Sequence, residues 1–297
     1  MGGGPGSGST EYWQAMADAA EREARRRRKL LLGAAVAAAA VLGAGALVLV
    51  LVLPGGGPDG PDRPSGPSVR AASSAPPPEP SAATPRLTLG PTASLGTTGG
   101  YDGQALLVTG NADGYAEAEG AALDTGADFT VSALVRVDTD SGPKAAVSQN
   151  AAAFSSFFLG RDDATDTVRN RWVFKVQTDA EVGRSVAAVS AADTVAGRWT
   201  LLTGVYSKQD ATIALYVDGV LAQTSPAPRI IPSTGPLEFG RIRSSGMWVK
   251  PWNGAIADVR LWKRALTAEQ VGALKDAKPG PPTPFERFLA PGASAAP

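Results

Sequence analysis

Between residues 197 and 224 the chain reads GRWTLLTGVYSKQDATIALYVDGVLAQT, two apolar runs parted by a polar turn, with a second, tighter turn at Asp218-Gly219. No other stretch restricts the fold so much. A two-residue connection that matches the right-handed twist of its flanking strands needs positive φ at both central positions, which Asp-Gly adopts at little cost. The segment therefore implies antiparallel strands joined by hairpins. Runs of the same kind predict further strands over 104–108, 115–119, 129–137, 145–149, 157–160, 172–176, 186–189, 200–206, 212–217, 237–242 and 255–262. Gly, Asp, Asn and Ser clusters separate them, the pattern of a β-sandwich or barrel. One helix is expected late, where Thr267-Ala-Glu-Gln270 forms a capping box ahead of a short apolar run to Leu274.

The N-terminal third obeys different rules. Residues 30–53 form an uninterrupted run of Leu, Ala, Val and Gly without a charge. As a helix this run would extend roughly 36 Å, enough to cross a hydrocarbon core of about 30 Å with some tilt. It reads as a transmembrane helix, being longer than the apolar part of a signal peptide and lacking a small-residue cleavage site before Pro54. Residues 1–29 precede it as a basic tail that ends in Arg22, Arg25, Arg26, Arg27, Arg28 and Lys29. This charge asymmetry predicts a cytoplasmic N-terminus, a single pass through the cell membrane and an extracellular C-terminal domain. Residues 54–86 hold ten prolines and five glycines and read as a disordered, extended stalk. The domain is expected over 87–278. Residues 279–297 read as a Pro-rich, frayed tail, despite Phe285, Phe288 and Leu289.

Composition removes most chemistry. Without cysteine there are no disulfides, thiol nucleophiles or cysteine metal sites, and without histidine there is no Ser-His-Asp triad and no histidine-bound zinc. Equal numbers of acidic and basic residues leave no overall basic field for nucleic acid.

The order of motifs points further. The strand DFTVSALVRVD (128–138), RWVFKV (171–176), the YVDG hairpin, LEFGR (237–241), then W-x-G-x-I-x-D-V-R-x-W and R-A-L-T closely resemble the LamG-like jellyroll. This is a branch of the concanavalin A-like lectin/glucanase superfamily, and the resemblance covers roughly residues 87–274. It implies an all-β, two-sheet antiparallel jellyroll sandwich, here preceded by one transmembrane helix and a Pro-rich linker. The Ala/Arg/Pro-rich composition and this branch look similar to actinobacterial members. Relatives that hydrolyse glycans carry E-x-D-x-E or E-x-D-x-x-E on one strand, since retaining hydrolysis needs two carboxyls about 5 to 5.5 Å apart. That pattern is missing: Glu117 and Glu119 share a strand face without a third acid, and they read as a solvated surface. Asp162, Asp163 and Asp166 read as solvent-facing turn residues.

A binding role follows instead. Trp172, Phe174, Trp199 and Trp262 are expected in the core. The ligand-binding candidates are Trp248, Trp252, Arg241 and Arg243, in and beside a loop with Gly and polar neighbours; Trp252, next to the family's W-x-G, reads equally as a loop anchor. The resemblance also implies a structural Ca2+ on Asp258, with Asp102 or Asp113 closing the shell of six to eight oxygens; the alternative is that Asp258 hydrogen-bonds the backbone at a bulge. The expected function is a membrane-anchored, non-catalytic, extracytoplasmic binding or adhesion module. Its ligand would be a polysaccharide or a cell-envelope protein. A glycoside hydrolase-like enzyme of the same fold stays open as an alternative.

Overall fold

A computed structural model describes residues 86–292 apart from 120–122, 140, 164–168, 182 and 276–280. The expected basic tail and apolar span, with all of the stalk but Arg86, lie outside the described residues. Among those described, no helix is long and apolar enough to cross a membrane.

Two antiparallel sheets face each other. The seven-stranded sheet runs in the order β1 (Leu87–Leu89), β4 (Ala116–Ala118), β13 (Leu237–Phe239), β6 (Lys144–Asn150), β7 (Ser155–Asp162), β8 (Arg171–Gln177), β9 (Ser185–Asp193). The eight-stranded sheet runs β12 (Val220–Pro226), β11 (Thr212–Val217), β10 (Trp199–Ser207), β5 (Phe129–Val137), β16 (Asn253–Trp262), β3 (Ala105–Thr109), β2 (Ser94–Gly96), with β17 (Glu286–Phe288) also paired to β16. This is the jellyroll sandwich expected of the sequence. The Asp218-Gly219 turn joins β11 to β12 with φ of 52° and 78°, as a two-residue hairpin demands.

The two-residue period of a strand decides which side chains meet. Ala116, Phe239, Val147, Leu159, Phe174 and Ala188 stand in one cross-strand row through six strands, and every one is buried in the main core. One step along lies the row Glu117, Glu238, Ser148, Phe158, Lys175 and Ala187, on the outer face. The eight-stranded sheet sends Phe129, Val131, Ala133, Val135 and Val137 of β5 into the same core. Its outer face is covered by α1 (Ala268–Lys275), where Val271 and Leu274 pack on Leu201, Val205 and Trp262. The capping box is made as expected: Gln270 N–H donates to Thr267 Oγ1 at 3.3 Å and Thr267 N–H to Gln270 Oε1 at 3.1 Å.

The segment read as a frayed tail is a correction. Residues 286–288 pair with β16, and Phe288 buries its ring 5.4 Å from that of Phe239. Trp262 Nε1 donates to the Pro282 carbonyl at 3.1 Å and fixes the approach to this strand. One aromatic in a Pro-rich segment is enough, because a buried Phe contributes about 2 kcal/mol or more.

Gly204 of β10 sits where the sheets come closest. A Cβ there would fall 2.5 Å from the Phe174 ring of the opposite sheet. Gly204→Ala should lower unfolding stability in urea by about 1–3 kcal/mol. Adding Phe174→Leu should recover part of that loss; strictly additive losses would show that the two positions do not press on each other.

Candidate functional site

A hairpin that the sequence reading missed organises the site. β14 (Ile242–Ser244) and β15 (Met247–Val249) pair through a Ser245-Gly246 turn with φ of 49° and 78°. The signal was present as a Ser-Gly dipeptide between short runs, but the flanking strands are too brief to show a period. Ile242 and Val249 lie on one side and pack with Phe158, Val173 and Ala145 on the outer face of the seven-stranded sheet. Arg243 N–H donates to Ser155 Oγ at 2.9 Å and Gly246 N–H to the Ala153 carbonyl at 2.9 Å, so the hairpin is tied down at both ends.

The structure brings three of the four expected ligand-binding residues together. Arg241 lies between the rings of Tyr115 and Trp248, with its guanidinium carbon 3.2 and 3.7 Å from their centroids, and Arg243 is 5.4 Å from Trp248. Arg241 is nevertheless spent: buried, it donates to both oxygens of Glu238, at 3.0 and 3.4 Å. It supports the site rather than contacting a ligand. Trp252 is excluded altogether, being 0% exposed and stacked 6.4 Å from Trp172 in the core. The reading of Trp252 as a loop anchor is the one that holds.

Glu238 is the residue that sequence reasoning missed most completely. On β13 it stands directly across from Glu117 on β4. Burial, with a further push from Glu117, raises Glu238 to about 7, although Arg241 pulls the other way.

A second ion cluster lies under the other flank of the hairpin. Asp162, expected to face solvent, is 5% exposed and accepts from Lys250 Nζ at 2.7 Å and Lys175 Nζ at 3.3 Å. Burial alone would raise its carboxyl, but the two lysines outweigh it and hold the group below the ordinary carboxylate range. Asp163 accepts the Asn170 N–H at 2.9 Å, and Asp166 lies outside the described residues. Between hairpin and sheet a cleft of about 200 Å³ opens, lined among others by Phe158, Lys175, Gln177, Arg243, Ser244 and Lys250.

The structure gives the aspartates expected to hold calcium other settings. Asp258 occupies the bulge in β16 with φ of 45°, and its two oxygens are taken by the guanidiniums of Arg260 and Arg287, the latter at 2.7 Å. Burial would raise its carboxyl, and these arginines hold it down. Asp102 and Asp113 are exposed loop residues, and no group of three acidic side chains among the described residues could hold a metal. A carboxylate already neutralised by two cations has little left to offer a divalent ion.

Comparison with known proteins gives the family. The model described as Concanavalin A-like lectin/glucanases superfamily matches residues 109–272. No curated protein matches the chain by sequence. Among solved structures, the heptameric SAP-like pentraxin of Limulus polyphemus is 15% identical, with 68% of this chain and 87% of that one covered, at a TM-score of 0.46. Domain 4 of AbnA, an extracellular GH43 arabinanase of Geobacillus stearothermophilus solved with arabinotriose, is 14% identical over 65% and 88%, at 0.49. The binding domain of Paraclostridial Mosquitocidal Protein 1 is 16% identical over 65% of this chain, which spans 47% of that one, at 0.49.

The ion clusters predict a stability optimum. Glu238, raised in the folded state, contributes stability that is full below about pH 4.5 and is lost as pH rises through about 7. Asp162 and Asp258, both lowered, contribute stability present above the ordinary carboxylate range and lost in acid. Stability should therefore fall between about pH 4.5 and 7 by an amount on the order of 3 kcal/mol. Glu238→Gln, which still offers Arg241 an acceptor, should flatten that limb; an unchanged slope would place the titrating group elsewhere.

Proposed function

Because the chain belongs to the concanavalin A-like lectin/glucanases superfamily, we propose that it is a non-catalytic binding module for glycans. The observation that carries this reading is the cleft under the β14–β15 hairpin. It joins an aromatic ring, Phe158, to three cationic side chains on a rigid sheet face, the mixture of apolar surface and few fixed polar groups that small-ligand sites use. Catalysis is disfavoured by the same geometry. Glu117 and Glu238 stand directly opposite each other on neighbouring strands and Glu238 is buried, whereas glycoside hydrolysis needs two carboxyls held apart on either side of a sugar bond.

A protein ligand is the second reading. It is favoured by Val195, Val220 and Leu221, which stand exposed around a separate cleft of about 290 Å³ between β9 and the β10–β12 edge. A glycan array probed with the full-length protein distinguishes the two. Binding should appear, the bound glycan should be recovered uncut, and Ser244→Trp, which fills the cleft mouth, should abolish it. Binding that survives Ser244→Trp would move the site elsewhere, and a blank array would favour the protein ligand.

The apolar span 30–53 and the arginines before it support the reading that the module stands on the outer side of the cell membrane. Protease added to intact cells should remove the β-domain and leave a membrane-bound stub. Complete protection would reverse the orientation.

A further inference from the structure

The electrostatics of the same cleft narrow its ligand. We propose that it takes a saccharide unit bearing an oxyanion, a carboxylate or phosphate, held by Lys175, Arg243 and Lys250. This inference rests on the glycan-binding reading above and specifies its ligand class.

Three cations line the cleft, and among the described residues no carboxylate does. The acids that act on the two lysines are Asp162 and Asp163, while Glu181 near the rim is paired with Arg184. Asp162 accepts from both lysines through one oxygen, and Asp163, which also acts on Lys250, already accepts from the Asn170 backbone. Three positive groups against two negative ones leave a positive charge over. Each lysine ammonium carries three donors and has given one to Asp162. Arg243 is more telling. Its Nε is buried and finds no acceptor among the described residues, so the hydrogen-bonding demand of a guanidinium that lines the cleft is not met within the fold.

A neutral sugar would offer hydroxyl acceptors to these donors but nothing to balance the charge. An oxyanion does both, and a guanidinium meets it in two-point geometry. The rest of the lining suits a sugar ring. Phe158 lies below, with Lys250 Nζ 4.7 Å from its centroid, and the hydroxyl side chains of Ser185 and Ser244 stand at the walls. At about 200 Å³ the space is below the range of drug-sized sites and suits one ring with its charged substituent. The source of the oxyanion, a uronic acid or a sugar phosphate, is left to experiment because both present the same acceptors.

The test measures binding of the full-length protein to polygalacturonate and to phosphomannan, each beside its neutral parent, the methyl-esterified and the dephosphorylated polymer, with polyglutamate as a non-sugar polyanion. At least one acidic glycan should bind about tenfold or more tightly than its neutral parent, weaken as salt rises and exceed polyglutamate. Arg243→Gln and Lys175→Gln should each weaken that binding by about tenfold while the melting temperature stays within a few degrees of the parent. Equal binding of acidic and neutral forms would overturn the charge inference and leave the glycan reading standing. Polyglutamate binding as tightly as the acidic glycans would also overturn it, reducing the site to non-specific charge. Failure of every glycan, neutral array included, would overturn both.

Discussion

The sandwich hangs on a seam of aromatic rings between its sheets. Phe129 of β5, flanked by Tyr206 of β10 on its own sheet, meets Phe157 of β7 and Phe174 of β8, with ring centroids 5.0 to 6.2 Å apart in tilted and edge-on arrangements. Such pairs add about 0.5–1.5 kcal/mol each beyond the area they bury. Gly204 makes the approach possible by presenting no side chain to Phe174. Everything outside the seam is arranged around it. Since the inward row is filled mostly with apolar side chains, the period of two sends most polar residues of these strands outward, the buried Gln149 and Arg161 being exceptions, and the outer face of the seven-stranded sheet becomes the place where charge can gather.

That charge is organised into two buried clusters, and the β14–β15 hairpin lies across both. On one flank Arg241 binds Glu238 and, between two rings, supports Trp248; on the other, Lys250 leaves the end of the hairpin to bind Asp162. Buried ion pairs contribute little net stability, but removing one partner strands a charge at a cost of several kcal/mol. Their effect here is therefore positional. They hold a short hairpin, too small to fold alone, at one height above the sheet, and the cleft is the space left between. A third cluster, Asp258 with Arg260 and Arg287, does comparable work at the opposite sheet, locking the C-terminal strand onto the bulge in β16. The aspartate that looked like a metal ligand is the anchor of this strand.

How much was legible beforehand follows from the range over which each signal acts. Alternation and turn chemistry are local. Thus most strands of both sheets, the Asp218-Gly219 hairpin and the capping box of α1 could be read from neighbouring residues alone, and the order of motifs then identified the jellyroll. Several elements too short to show a period escaped: β1, β2, β14, β15 and β17 have three residues each. Among site residues, Arg241, Arg243 and Trp248 were recognised as a group, because they crowd one loop.

The partners of those residues could not be read in the same way. Glu117 and Glu238 face each other only because β4 and β13, far apart in the chain, are neighbours in the sheet. Asp162 and Lys250 meet only because the hairpin folds back over β7. Register between distant strands also turned Trp252 inward and gave Asp258 two arginine partners. By itself the sequence determined that this chain would build antiparallel strands with one apolar face, since that is written in a two-residue period. Only the tertiary structure decided which charges would be buried together and which donors would be left facing a cleft, since those depend on distances between residues that no local pattern records.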